Sequence, residues 1–502
     1  MSRTVVKQLW ENTSQRTVLL MALAVTPVLA LSIARFDVIF VLAAIIAVVA
    51  ATLAFLWPEL ATISVTFAVF ANLPAIATRF HGVPKLASAA VVLLLFLPLI
   101  DLLIRKKQAI IVDQTTRLIL LLAAVFTLSG LFAIDFSTAL AAVLEMLTEG
   151  LLLFWLLLNV IRSRATLNRV IWTLLITGAF LGSLAVYQRF TNFSTDFGGL
   201  AQSHTSRSVD LPGAGYEERG AERTEGPVGE TNRFAQIMLV LLPLAYFRFR
   251  FSENQFSKMA AVSSAFLILS AMALTYSRGA FLNLILLLGV AALLREISTR
   301  KLLMGGVALL ILVLLIAPGY LDRIKTLTGV QGIVSEESQD EADGSMKGRM
   351  TEMLAAFNVF IDHPILGVGP GHYMQFYSKD YHLSLESALR YLPRERRAHN
   401  LYLEIAAESG LIGITVFLLI LFSLLYQLFQ LRRFWKEEDP EAAGLATAFL
   451  FAILTYMGTG MFLHLAYQRY FWMLLALSAV CVRILKTEKP QPKASFQEQR
   501  LH

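Results

Sequence analysis

Three residues far apart in the chain, Arg278, Arg349 and His399, have side chains suited to an anionic leaving group and a hydroxyl nucleophile. Arg278 lies in Tyr276-Ser277-Arg278-Gly279-Ala280, a connection between two apolar runs that is too short to be a domain. A guanidinium there has two readings of equal weight: it snorkels to headgroup phosphates, or it binds an anion at the membrane boundary. Arg349 opens a stretch of helical periodicity, where the first-turn N–H groups and the helix dipole already favour a negative ligand. Its planar fork suits phosphate, although taken alone a solvated surface charge is the better reading. His399 precedes Asn400, an apt N-cap for a helix from Leu401 that carries Glu404 and Glu408 one turn apart. Histidines at helix entrances more often serve as structural hydrogen bonders, yet an imidazole there is also a ready proton acceptor at neutral pH.

Other constellations fail on spacing. The Gly367–Gly371 turn superficially suggests a phosphate nest, but it lacks a preceding strand and a P-loop lysine, so a structural turn is the better reading. In the acidic stretch Ser335–Gly344, aligning Gly344 with the invariant glycine of an EF-hand puts Gln339 first and Met350 last among the ligands, which supports no calcium loop. His363, His372 and His382 are too scattered for zinc. Cys481 is the single cysteine, which excludes a disulfide framework and a cysteine metal site.

The elements that must position these groups are membrane helices. The 502 residues are 56% hydrophobic and 16% charged, with a mean hydropathy of +0.63, so lipid is the solvent. Runs long enough to span occur at 17–34, 36–57, 60–77, 86–104, 117–134, 137–160 and 167–188, and again at 233–250, 258–275, 279–294, 301–317, 401–429, 443–465 and 469–485. The fold class expected is therefore all-α, a polytopic bundle of about 14 transmembrane helices. The first run is followed at once by others, so it reads as a span and not a cleaved signal peptide.

The net charge of +7 reflects topology and not nucleic-acid binding. With the N-terminus inside, basic clusters such as Arg105-Lys106-Lys107, Arg248 with Arg250, Arg432-Arg433 and Arg483 with Lys486 all fall on the cytoplasmic side. The short outer turns then hold only Arg35, Arg79, Lys85, Arg278 and Arg469. This divides the chain into N-terminal helices (1–190), an outer loop (191–232), helices (233–317), a large periplasmic loop (318–400), C-terminal helices (401–485) and a cytoplasmic tail (486–502). The first loop, rich in glycine, reads as mobile. In the second, Ser335–Gly344 reads as disordered. Met350, Met353, Leu354, Phe357 and Ile361 mark an amphipathic helix over 349–362, lying along the membrane surface.

Taken in order, Thr275–Ala280, Arg349–Gly371 with its His363-Pro364-Ile365-Leu366-Gly367 core, His399–Glu404 and Glu408–Gly413 resemble the O-antigen ligase and polymerase superfamily of bacterial membrane glycosyltransferases. Arg223–Ala235 resembles the entry to that family's conserved half, so the likeness covers about 187–420. The resemblance implies that Arg278 and Arg349 are ligands of the donor diphosphate and that His399 is central to transfer. It implies a polyprenyl diphosphate-linked glycan donor and either a lipid A core or a glycan acceptor. The setting implied is the periplasmic face of the inner membrane.

The chemistry needs no cofactor and no metal, because two guanidinium groups can stabilise charge developing on a diphosphate while His399 accepts the acceptor proton. Arg223, Gln188 and Arg397 are second-rank candidates for sugar or phosphate contacts, and Tyr467, Gln468 and Arg469 for approach to the same cavity. The rival reading is a multi-pass transporter or lipid-linked glycan flippase, for which Glu145 and Glu149, one turn apart inside a span, would be a natural pathway.

Overall fold

The structure is a computed structural model describing residue 52 and residues 55–84, 91–205, 222–320, 341–385, 395–464 and 468–488. Its first half comprises α1 (Pro58–Phe70), α2 (Leu73–His81), α3 (Phe96–Ile100), α4 (Gln114–Leu131), α5 (Phe136–Val160) and α6 (Arg164–Phe190). A ribbon of β1 (Gln202–Thr205) and β2 (Glu222–Gly226) follows. The second half comprises α7 (Thr231–Phe251), α8 (Gln255–Leu274), α9 (Arg278–Leu293), α10 (Thr299–Ile316), α11 (Glu341–Asp362), α12 (Ser378–Ser384), α13 (Leu401–Trp435), α14 (Pro440–Gly460) and α15 (Gln468–Thr487).

Among the described residues, nine helices are long and apolar enough to cross a membrane, or ten if α1 and α2 form one span bent by 55°. The bend has a local cause: Asn72 takes the left-handed conformation (φ 58°) and Pro74 occupies the first turn of α2. The expected runs 17–34 and 36–57 lie almost wholly outside the described residues. Of the run expected at 86–104, residues 86–90 lie outside the described residues, and the remainder turns at Leu94-Leu95 before α3, which passes into a π-turn at Asp101–Arg105. At 16 residues, α9 is shorter than a full span.

Helix caps were set by the residue types that favour them. Asp113, Asp135, Ser163, Asn254, Ser277, Asn400 and Asp439 each accept a backbone N–H from the first turn of the helix they precede. The bundle is centred on α7, α14 and α15, whose most apolar stretches are 67%, 78% and 83% buried, whereas α10 is only 17% buried and lies at the edge. Lipid offers no hydrophobic drive between helices, so this centre is held by close packing and interhelical hydrogen bonds. Asn283 of α9 donates to Thr455 O of α14 (2.8 Å), and Gln236 of α7 donates to Thr459 Oγ1 (2.6 Å).

The two ends of the bundle differ. At one, Arg432 pairs with Glu296 (2.5 Å) and Arg164 with Asp439 (2.6 Å). At the other, the N-termini of α7, α9, α13 and α15 converge with the C-terminus of α14, which gathers the positive ends of four helix dipoles.

Two loop expectations change. Part of 191–232 is an antiparallel ribbon, with Ser203 opposite Thr224 and His204 opposite Arg223, while residues 206–221 lie outside the described residues. Helix α11 begins at Glu341, inside the stretch expected to be disordered, of which 335–340 are outside the described residues. Its exposed face is the apolar one, the arrangement of a helix that faces lipid instead of water. Small residues Ala355, Ala356 and Val359 are fully buried, while Met350, Leu354, Phe357 and Ile361 face outward.

Candidate active site

The site end of α13 is shaped by a break. Gly410 sits at φ 64°, ψ −165°, a conformation open essentially only to glycine, and the helix loses its own hydrogen bonds there. The turn 364–369 fills the gap. Leu411 N donates to Pro364 O (2.7 Å), Val368 N to Ala407 O (2.9 Å) and Gly369 N to Glu408 O (3.0 Å). A Cβ on Gly410 would lie 2.2 Å from Ile365 O, and one on Gly367 2.4 Å from the Glu408 carbonyl carbon, so both positions need glycine. The two glycine-containing segments singled out in the sequence are therefore two halves of one backbone joint. The apparent phosphate nest is filled from within the chain: the N–H groups of Gly371 and Tyr373 donate to the carboxyl group of Glu408.

Upstream of the joint, Asn400 caps α13 through Tyr402 N and Leu403 N (both 3.0 Å), and Glu404 reaches back to Ala398 N (3.1 Å). This fixes His399, whose backbone is left-handed at φ 47°, a strained state for a non-glycine residue that the surrounding contacts must hold. Its Nδ1 lies 2.7 Å from Glu352 Oε2 of α11. Glu352 is 1% exposed, and its other oxygen accepts from Arg396 (3.2 Å). Tyr373 donates its hydroxyl to Glu352 O (3.1 Å). Burial and the carboxylates of Glu404, Glu352 and Glu408 push the Tyr373 pKa well up, so that hydroxyl keeps its proton. A carboxylate on Nδ1 selects the tautomer with hydrogen there and leaves Nε2 as a proton acceptor. The imidazole edge meets the His464 ring at 5.6 Å. Burial first, then Arg233, Arg397 and His399, drive the His464 pKa far down, so that ring stays neutral.

Arg278 opens α9 on a turn anchored from three sides. Ser277 Oγ donates to Asn232 Oδ1 (2.8 Å), Tyr320 donates to Ser277 O (2.7 Å), and Arg223 Nε donates to Thr275 O (2.8 Å). Arg349 shares a narrow cleft with Asn232, Ser277 and Gly279 of that turn, together with Thr459 and Leu463. Glu352 is one helical turn beyond Arg349 on α11. A single helix thus carries Arg349 against the turn that begins at Tyr276 and a buried carboxylate against His399.

Beside this lies a cavity of about 640 Å³, large enough for a small ligand. Arg397 and His464 line it, and both also contact His399: His399 Nδ1 is 3.2 Å from Arg397 O. Glu145, Glu149, Glu230, Glu404, Glu408, Arg469 and Trp472 complete much of its wall. Helix α5 turns Glu145 and Glu149 toward it through a π-turn at Met146–Leu152, an irregularity frequent at functional sites.

Of the second-rank residues, Arg397 faces the cavity and pairs with Glu404 (3.0 Å), and Arg223 braces the Thr275–Gly279 turn. Gln188 is different. It is 1% exposed, its amide donates to Ala201 O (2.5 Å) and Thr195 O (3.0 Å), and it holds the base of the ribbon away from the cavity. Arg469 lines the cavity and pairs with Glu149 (3.2 Å); Tyr467 lies outside the described residues, as does the Gln468 side chain. Sequence reasoning missed Glu352, Glu230, Arg396 and His464. The only available signal for Glu352 was its position one turn after Arg349.

A family model described as O-antigen ligase matches residues 263–418. The matched segment holds Arg278, Arg349, Glu352, His399 and both halves of the Gly367–Gly410 joint, whereas Glu145, Glu149, Glu230, His464 and Arg469 lie outside it. No curated protein matches the chain.

Proposed function

We propose that the protein is a glycosyltransferase acting on the periplasmic face of a bacterial inner membrane, a reading supported by its membrane-helix bundle and by the match of residues 263–418 to a family model described as O-antigen ligase. It moves a glycan from a polyprenyl diphosphate donor to an acceptor hydroxyl. The observation that carries this reading is the Glu352–His399 contact of 2.7 Å on the helix that also brings Arg349 to the Arg278 turn.

The acceptor hydroxyl gives its proton to His399 Nε2 as its oxygen bonds to the anomeric carbon. The bond from that carbon to the diphosphate breaks with inversion, and the electron pair leaves on the polyprenyl diphosphate. Charge grows on the leaving group during this step, so fixed guanidinium groups at Arg278 and Arg349 bind the transition state more tightly than the ground state. The converging helix N-termini add to the same field. His464, held neutral, can pack beside an imidazolium without adding a second positive charge.

Purified, correctly inserted Arg278→Ala, Arg349→Ala and His399→Ala variants test this with extracted lipid-linked donor and product analysis. Each arginine variant is expected to lose about 100- to 1,000-fold in rate, and His399→Ala about 100- to 10,000-fold. Retained transfer in all three would remove the site. A transporter or flippase would form no new glycosidic bond in the same assay.

A further inference from the structure

At the end of the bundle opposite His399, a groove of about 510 Å³ runs between α10 and the centre of the molecule. Helices α7, α9 and α14 form its floor, and α10, only 17% buried, forms its outer wall. The lining reaches from Arg250 and Lys301 at the helix ends to Leu242, Leu284 and Leu309 inside the bundle. Between Leu242 and Phe251 alone, α7 rises about 14 Å. Arg250, Glu296 and Lys301 are the charged residues of this lining, and all three lie at the open end. Their charges do not balance. Glu296 is paired by Arg432 at 2.5 Å and also lies 3.5 Å from Arg250, so one carboxylate faces two guanidinium groups. Lys301 makes no hydrogen bond or ion pair among the described residues. Three cations against one carboxylate leave two positive charges in excess among these four side chains.

We propose that this groove binds one anionic glycerophospholipid, with an acyl chain between α10 and the bundle centre and its phosphate at Arg250 and Lys301. The proposal does not depend on the transferase reading. An apolar concavity left empty forfeits dispersion contacts along its walls, and within a membrane the molecule at hand to fill it is a lipid chain. The chain alone would not select a headgroup. The excess cations do, because basic pockets between membrane helices favour anionic headgroups. Gly305 of α10 keeps the path of the chain open, since a Cβ there would meet nothing within 4 Å. Seated in the groove, the lipid braces α10, whose far end leads to Tyr320 and its hydrogen bond to Ser277 O (2.7 Å).

The test is native mass spectrometry of the full-length protein in a neutral detergent, titrated with dioleoyl phosphatidylglycerol, dioleoyl phosphatidylcholine or a polyprenyl phosphate. Phosphatidylglycerol is expected to bind as one retained molecule, at least about tenfold tighter than phosphatidylcholine. Gly305→Leu, which fills the groove with a better helix former, should weaken that binding by at least about tenfold while the thermal midpoint without lipid does not fall. Lys301→Gln, on an exposed side chain, should reduce the preference for phosphatidylglycerol about fivefold. Equal binding of the two phospholipids, or binding untouched by Gly305→Leu, overturns the proposal. Tighter binding of the polyprenyl phosphate, lost in Gly305→Leu, overturns it in favour of an isoprenoid occupant. A lipid-free dimer that separates in Gly305→Leu overturns it in favour of a second copy of the chain.

Discussion

A buried carboxylate behind an imidazole is the most consequential pairing at the scale of single residues. Glu352 has no solvent to share its charge and divides its two oxygens between Arg396 and His399. Removing the charge but keeping the shape therefore probes orientation and tautomer more than packing. Glu352→Gln is expected to lower kcat by about 100-fold, within the range assigned to general acid–base catalysis, while KM for the donor stays near wild type. Steady-state kinetics on the purified variant check this, and a fall in donor affinity with kcat unchanged would assign Glu352 to binding. Arg278 stood out in the sequence as a charge between apolar runs on the face where basic residues are scarce, whereas Arg349 and His399 read by themselves as a solvated charge and a structural hydrogen bonder and became candidates through the family resemblance. Glu352 was not legible, since a lone glutamate on a loop helix reads as solvated. Its burial follows from Ala355, Ala356 and Val359, whose small side chains let α11 sit close against the N-terminal turns of α13. The apolar periodicity marks the face turned outward, as a helix along the membrane surface requires, and so gave no sign of the buried face that carries Glu352.

Among the elements, α13 shows what hydropathy can and cannot convey. Its length and apolar character are plain in the sequence, but a continuous apolar run gives no sign that the backbone reverses its hydrogen bonding at Gly410. The break costs little only because residues 364–369 supply the missing partners, consistent with the requirement that every backbone polar group at membrane depth be satisfied. Gly410→Ala would set a Cβ 2.2 Å from Ile365 O in a conformation that alanine avoids. The expected outcome is a destabilisation of about 1–3 kcal/mol or more, read as a lowered thermal midpoint in detergent, with transfer lost in parallel. Alanine at Gly289, whose Cβ would meet nothing within 4 Å, is the control and should leave both near wild type.

Over the whole molecule, the segregation of charge predicts orientation. Arg432 with Glu296 and Arg164 with Asp439 tie one end together, and the proposed chemistry occupies the other. Cys481 is fully buried, which leaves the protein free of reactive background for thiol labelling. A cysteine replacing the exposed Lys379 should react with a membrane-impermeant maleimide in intact spheroplasts, and one replacing the exposed Glu437 only after permeabilisation. The opposite pattern would place the His399 end in the cytoplasm. The all-helical membrane bundle was readable from the length and hydropathy of its segments, but the cavity was not. Its walls come from residues as distant as Leu122 and Trp472, and only the folded chain brings them together.

The joint between residues 364–369 and Gly410 also bears on how such proteins can be recombined. Its two halves lie on opposite sides of the 395–400 stretch that delivers His399, so a graft of the outer loop alone would import one half of a lock without its key. Exchanges between relatives should keep a functional catalytic end only when the crossover points fall before His363 and after Gly413.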